Sequence, residues 1–253
     1  MADGILPIFK SHYSIGRSIL TLQKTEELQE NAPNSIIDLC PKNNIKNLVL
    51  VEDNMSGLLQ AYMNSRDAKL NLTFGLKLRV CNDCEEKTTE SLNKTCKYII
   101  FAKNKEGFRK LIHIFSFAAK EGFYYSPRVD FDTLSRFWRN KDLMMAVPFY
   151  DSFIFNNILL DFNCVPEIDF FNPVFFLEDN GLPFDGLIKE RVEAHSKGKF
   201  ETQRVKSIYY NNREDFKTYL TFRCINNRTT LSKPNLDHMC SNEFCLESWK
   251  ETQ

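Results

Sequence analysis

Glycine is scarce in this chain, with 9 residues in 253, where average usage of about 7% would give roughly 18. None of the nine falls in GxGxxG or GxxxxGK(S/T) spacing, which excludes a dinucleotide fingerprint and a P-loop. Histidine is scarcer still: His12, His113, His195 and His238 are the full set and cap any metal or acid–base chemistry built on imidazole. Net charge is absent, 33 Lys+Arg balancing 33 Asp+Glu, which excludes a polycationic DNA-binding tail but leaves room for a local basic stripe. No apolar run approaches the ~18 residues of a membrane span. The opening MADGILPIFKSHYSIG has Asp3 near its start and no basic region, so a signal peptide is not expected. The composition reads as cytosolic, with no membrane partner.

What is present is enough for a substantial core: 43% of residues are hydrophobic and 13% aromatic. NLVLV at Asn47–Val51 has the continuous apolar character of a covered strand. Ser56–Ala68 carries Leu58, Leu59, Tyr62 and Met63 at helical spacing, and Leu70–Val80 returns to a strand pattern. This strand–helix–strand unit is the signature of a parallel crossover. The alternation continues with a strand at Tyr98–Ala102 and a helix at Lys105–Lys120, whose apolar face is Phe108, Leu111, Ile112, Phe115 and Ala119. Further strands are read at Leu143–Val147, Val174–Leu177 and Val205–Tyr210, with a helix at Leu187–His195. The fold class is therefore α/β, barrel-like or doubly wound, as a single domain over residues 1–253. From about Leu231 neither period persists, and an irregular C-terminal tail is expected.

Eight cysteines are too few for a disulfide scaffold. Cys81-Asn-Asp-Cys84 could place two thiolates on one zinc, with Cys96 as a third ligand if the segment folds back, but no fourth ligand lies nearby in sequence. Free thiols in a polar hairpin are the plainer reading.

Three stretches carry a family likeness: Lys10-Ser-His-Tyr-Ser14, then NLVLVEDNMSGLLQAYMNSRDAKLNLTFGLKLRV, then YIIFAKNKEGFRKLIHIFSFAAKEGFYYSPRVD. They resemble the polymerase and histidinol phosphatase (PHP) domain at the N-terminus of bacterial DNA polymerase III alpha subunits. AKNKEGFRKL followed by EGFYYSPRVD is the most specific part. A fourth stretch, YYNNREDFKTYLTFRCINNRTTLSKPN with NEFCLES beyond it, extends the likeness, which is collinear from Pro7 to Ser248. The resemblance implies a PHP-like distorted (β/α)7 barrel, free-standing and without a polymerase domain.

Active members of that family hold up to three metals through His and carboxylate ligands, and the metals activate water against a phosphate ester. By resemblance the opening His-x-His pair falls on Ile8 and Lys10, an alkyl chain and a cation. The Thr-Asp-His-Gly pattern falls on Val51-Glu52-Asp53 without its His, the Glu that closes the next strand falls on Lys77, and the final Asp-x-His pair falls on Ser207 and Tyr209. The two lysines would remove the need for a metal, by pairing with Glu52 or Asp53. His12 is a weak candidate ligand, read more simply as a loop or core histidine.

Other residues have plain structural readings. Glu52 and Asp53 could cap the following helix, Arg128 and Asp130 could form an ion pair, and His113 lies on a helix face. Phe123-Tyr124-Tyr125 could stack on bases, but core packing is the simpler expectation.

The function expected from the resemblance is a catalytically inactive PHP-like scaffold in DNA replication or repair. It would carry no cofactor and would bind a replication protein such as a DNA polymerase or a proofreading exonuclease. An Asn- and Lys-rich composition suits a bacteriophage genome, which would place the chain in the host cytoplasm. The enzyme alternative is a divergent phosphoesterase or 3′–5′ exonuclease holding Mn or Zn on Glu52, Asp53, His12 and Asp38. A third alternative is a nucleic-acid binder making weak DNA contact through Lys10, Lys77, Arg79, Lys103 and Arg109, with steep salt dependence.

Overall fold

The computed structural model describes residues 4–24, 26, 32–232 and 241–253. Its elements in chain order are β1 (Leu6–Phe9), α1 (Ile36–Lys42), β2 (Asn47–Glu52), α2 (Leu58–Asp67), β3 (Asn71–Cys81), α3 (Thr89–Leu92), β4 (Cys96–Ala102), α4 (Lys105–Ala119) and β5 (Arg128–Asp130). They continue with α5 (Phe131–Phe137), β6 (Leu143–Val147), α6 (Phe153–Leu159), β7 (Val174–Leu177), α7 (Asp185–Ser196), β8 (Thr202–Ile208), α8 (Phe216–Asn227) and α9 (Leu246–Glu251). Strand pairing runs β2-β1-β8-β7-β6-β4-β3-β5, and β2 also pairs with β3. The ladder of seven strands therefore closes, as a barrel requires, with β5 attached to β3. This is the mixed α/β barrel class expected from the sequence.

Two compact units divide the chain: Met1–Phe74, Glu178–Asp185 and Arg204–Gln253 form the first, Gly75–Leu177 and Gly186–Gln203 the second. In the first, β1 lies parallel to both β2 and β8, with Ile8 opposite Val49 and Ser207. Five successive residues of β2, Leu48 to Glu52, are buried, the mark of a strand covered on both faces. The tail is more regular than its sequence suggests. Residues 233–240 lie outside the described part, but α9 buries Leu246 and Trp249, and the Trp249 indole donates to the Ile5 carbonyl at 2.8 Å.

In the second unit β4 runs antiparallel to both β3 and β6. Only the Asn82–Thr95 segment, with its one-turn helix α3, joins β3 to β4, and it folds the chain back instead of carrying it across. Side-chain caps start several helices: Thr88 accepts from Ser91 N, Asn104 from Gly107 N, Asp130 from Thr133 N and Ser152 from Phe155 N. The α4 helix buries Gly107, Leu111, Ile114 and Ala118, whereas Ile112 and Ala119, expected on its inner face, are exposed. Gly107 sets this rotation, because a Cβ there would stand 2.0 Å from the Asp142 carbonyl oxygen and the helix seats against that backbone.

Two expectations about apolar residues are corrected. Phe123 and Tyr125 are exposed, at 49% and 79%, because Tyr125 sits in the left-handed region at φ 56°, while Tyr124 packs its ring under the Arg128 guanidinium at 5.2 Å. On α2, Leu59, Tyr62 and Met63 face outward, and Ala61 and Ser65 are the residues it buries.

Candidate functional site

In the first unit the end of β1 and the end of β2 lie side by side, so the residues that follow them share one buried polar cluster. Glu52 is fully buried. Its carboxylate accepts from Ser11 N at 2.8 Å and from the Ser14 hydroxyl. The Ser14 oxygen in turn accepts from Asp53 N at 2.9 Å. Lys10, 5% exposed, sets its ammonium 3.0 Å from Asp53 Oδ1 and donates more weakly to Ser14 Oγ at 3.4 Å. Burial pushes the Glu52 carboxyl above its ordinary range, opposed by the Lys10 charge and the Ser11 and Ser14 hydrogen bonds. The pairing of Lys10 with Asp53 is the arrangement the sequence implied, whereas helix capping by Glu52 and Asp53 is not observed. Both carboxylates are engaged by the loop after β1, and Gly57 occupies the cap position of α2.

The remaining family positions in this unit carry no metal-binding donor geometry. Ile8 is buried in the core. Ser207 donates its hydroxyl to Glu178 Oε1 at 2.9 Å, and its backbone N–H donates to Glu178 Oε2 at 3.1 Å. The Tyr209 ring is stacked on Tyr219 and Phe244 at 5.8 and 5.4 Å. His12 has Nδ1 3.3 Å from the Leu20 carbonyl and its ring against Tyr13 at 4.4 Å, so it behaves as a loop histidine. Asp38 stands in the first turn of α1. His238 lies outside the described residues.

In the second unit Lys77 ion-pairs with Asp151 at 3.1 Å, and Lys97 reaches the same oxygen at 3.0 Å. Arg128 does not pair with Asp130. Its guanidinium, fully buried, donates to the carbonyls of Cys84, Gly122 and Glu86 and to Ser91 Oγ, while Asp130 caps α5 through Thr133 N at 2.7 Å. His113 is exposed and stacks on Phe137.

Of the five residues suggested for a nucleic-acid stripe, Arg79 is half-buried on β3 and the other four are engaged in contacts. Lys10 and Lys77 are committed to carboxylates, Arg109 pairs with Glu106 and Lys103 Nζ donates to the Asn140 carbonyl. The three candidate zinc cysteines do not converge either. Cys81 and Cys84 stand with sulfurs 3.6 Å apart, whereas Cys96 pairs with Cys164, a partner that sequence spacing did not single out. Among the described residues no group of three or more His, Cys, Asp or Glu is arranged to hold a metal ion. The family's metals do not fit this donor set, since a tethered ammonium rests on one of the two remaining carboxylates.

Sequence reasoning missed Ser11, Ser14, Glu178 and Asp151. Glu178 was findable: it follows the apolar run of β7 directly, as Glu52 ends that of β2. The serines and Asp151 gave no signal, because their roles arise from the turns that follow β1 and β6.

A family model for the PHP domain matches residues 29–151. Residues 29–151 are a PHP domain. Curated relatives extend the likeness over most of the chain. DNA polymerase III subunit alpha of Borreliella burgdorferi is 26% identical over an alignment covering 85% of this chain and 20% of that protein. The subunits of the same name from Aquifex aeolicus and Chlamydia trachomatis are 28% and 32% identical over 64% and 33% of this chain. The chain spans a fifth or less of the length of these relatives. Among the described residues no helix is long and apolar enough to cross a membrane.

Proposed function

We propose that this chain is a PHP domain that has lost metal-dependent chemistry and serves DNA replication as a protein-binding platform for a DNA polymerase or a proofreading exonuclease. The observation that carries the reading is the Lys10 ammonium 3.0 Å from Asp53, two positions on which, by resemblance, the family's ligand motifs fall. A divalent ion there would have to displace a covalently attached cation, and Ile8 and Ser207 bring no imidazole to compensate. The replication role is supported by the likeness to DNA polymerase III alpha subunits. A binding role is supported by α2, whose Leu59, Tyr62 and Met63 form an outward apolar face at i, i+3 and i+4 spacing.

The test joins metal analysis of protein purified without chelator to hydrolysis of bis(p-nitrophenyl) phosphate with added manganese. Turnover no greater than that of Asp53→Asn is expected. Two or more bound metals, with turnover abolished in Asp53→Asn, would overturn the reading. For the binding arm, purified replicative polymerase and exonuclease are each titrated against the chain, and Tyr62→Asp is expected to weaken the complex at least about tenfold.

A further inference from the structure

The second unit holds a pair of thiols for which the PHP reading has no use. Cys81 ends β3, opposite Asp130 of β5, and the turn beyond it brings Cys84 back until the two sulfurs are 3.6 Å apart. Both are free thiols, 2% and 4% exposed. Cys84 lines a cavity of about 760 Å³, and the lining carries five carboxylates, from Asp83, Glu85, Glu121, Asp130 and Asp132, against the cations of Lys87 and Arg136.

We propose that Cys81 and Cys84 form a redox-active dithiol that a small neutral hydroperoxide closes to a disulfide. Three features of the site select that chemistry. The sulfurs are already in contact, and closure to a bond of about 2.05 Å shortens the gap by roughly 1.5 Å, a movement within the reach of side-chain rotation in a short turn. Their burial excludes a bulky oxidant, and Cys84, in the cavity lining, is where a molecule the size of a water pair would meet the contacting sulfurs. The excess of carboxylates repels anionic disulfides such as oxidised glutathione.

The pair is also electronically prepared. The thiol–thiol hydrogen bond with Cys84 and the nearby Arg128 charge hold the Cys81 thiol below its ordinary range, against the opposing effects of burial and the Asp130 and Asp83 charges. The same hydrogen bond, burial and Asp130 hold Cys84 protonated. The Cys81 thiolate attacks one peroxide oxygen: an S–O bond forms, the O–O bond breaks and hydroxide leaves, taking the Cys84 proton to become water. The Cys84 thiolate then displaces hydroxide from the Cys81 sulfenic acid, forming the S–S bond, and that hydroxide is protonated by solvent. Two electrons pass from the sulfurs to the peroxide, which ends as two waters. The Cys96–Cys164 pair is not part of this cavity lining, and Cys164 directs its thiol to the Thr95 carbonyl at 3.1 Å.

The full chain is treated with one equivalent of hydrogen peroxide, quenched with N-ethylmaleimide and mapped by peptide mass spectrometry. The expected first product is a Cys81–Cys84 disulfide that dithiothreitol reverses. Oxidised glutathione at equal concentration should act at least about tenfold more slowly. Cys84→Ser is expected to stop at a sulfenic acid on Cys81 that dimedone captures, and Cys164→Ser, which leaves the pair intact, to oxidise like the parent chain. A first disulfide between Cys96 and Cys164, thiol loss in Cys81→Ser as fast as in the parent, or glutathione disulfide matching peroxide would each overturn the proposal.

Discussion

Replacing Lys10 with Met keeps most of the side-chain stem and removes the ammonium, which isolates the role of that charge. The Lys10 Nζ to Asp53 Oδ1 separation of 3.0 Å corresponds to an attraction of about 5 kcal/mol at an effective dielectric near 20, offset by the desolvation of both ions. Removing one member of a buried pair typically costs about 3–5 kcal/mol, because the other is left uncompensated. The Asp53 side chain is 30% exposed and can recover some hydration, so the lower end, about 3 kcal/mol, is expected. For a chain of this size that is a fall in Tm of roughly 6–12 °C, read by differential scanning calorimetry. A cycle with Asp53→Asn gives the pairwise coupling free of other effects. The pH dependence has a definite sign. Without Lys10, whose charge favours the ionised form of Glu52, that carboxylate ionises less readily in the folded state, so the stability gap between parent and Lys10→Met is widest at neutral pH and narrows on acidification as Glu52 protonates. A loss below about 1 kcal/mol would place the pair among screened surface bridges and refute the argument that a cation is built into the fold here, and so would a gap that widens at low pH.

Two further outcomes follow from groups nearby or buried elsewhere. Glu52, raised above its ordinary value of 4.5 by burial, favours the neutral form when folded. It therefore lowers stability as pH rises from 4.5 through its folded value, and Glu52→Gln should gain on the parent between pH 4 and pH 7 in urea melts; a mutant that loses ground over that range contradicts the assignment. Arg128 is fully buried and serves three carbonyls, so Arg128→Met should cost about 3 kcal/mol or more in the same assay, with Arg128→Lys recovering less than half because one ammonium cannot span three acceptors.

The alternation of apolar runs and amphipathic segments made the class and most elements legible, since each of β2, α2, β3, α4 and β6 lies within a few residues of its expected span. Strand direction was not legible. Periodicity records which faces are buried, and β4 reads as an apolar run whether it is parallel or antiparallel; only the short return from Cys81 fixes its sense. Helix rotation was also poorly specified, because α4 has more apolar residues than its buried stripe needs and the choice among them is made by backbone contact at Gly107. At the candidate site the lysine substitutions were visible as departures from a motif, but the partner of each was a matter of tertiary structure. Lys10 found the adjacent strand's Asp53, as the proximity of β1 and β2 dictates, whereas Lys77 found Asp151, which stands just beyond β6.

The cysteines show why a spacing motif underdetermines chemistry. A CxxC turn brings two sulfurs together whatever its function, and the distinction between metal centre and redox pair lies in what else arrives. A zinc site needs third and fourth donors, and β4 would have to present Cys96 to the Cys81–Cys84 pair to supply one. Instead Cys96 meets Cys164, and the space beside Cys84 is a cavity lined by five carboxylates. Two of them, Asp83 and Asp130, accept from backbone amides of the turn and of the start of α5, and they raise the negative potential around the thiols without completing a coordination shell. With two sulfurs in contact and, among the described residues, no third ligand beside them, disulfide formation is the reaction we propose for this turn.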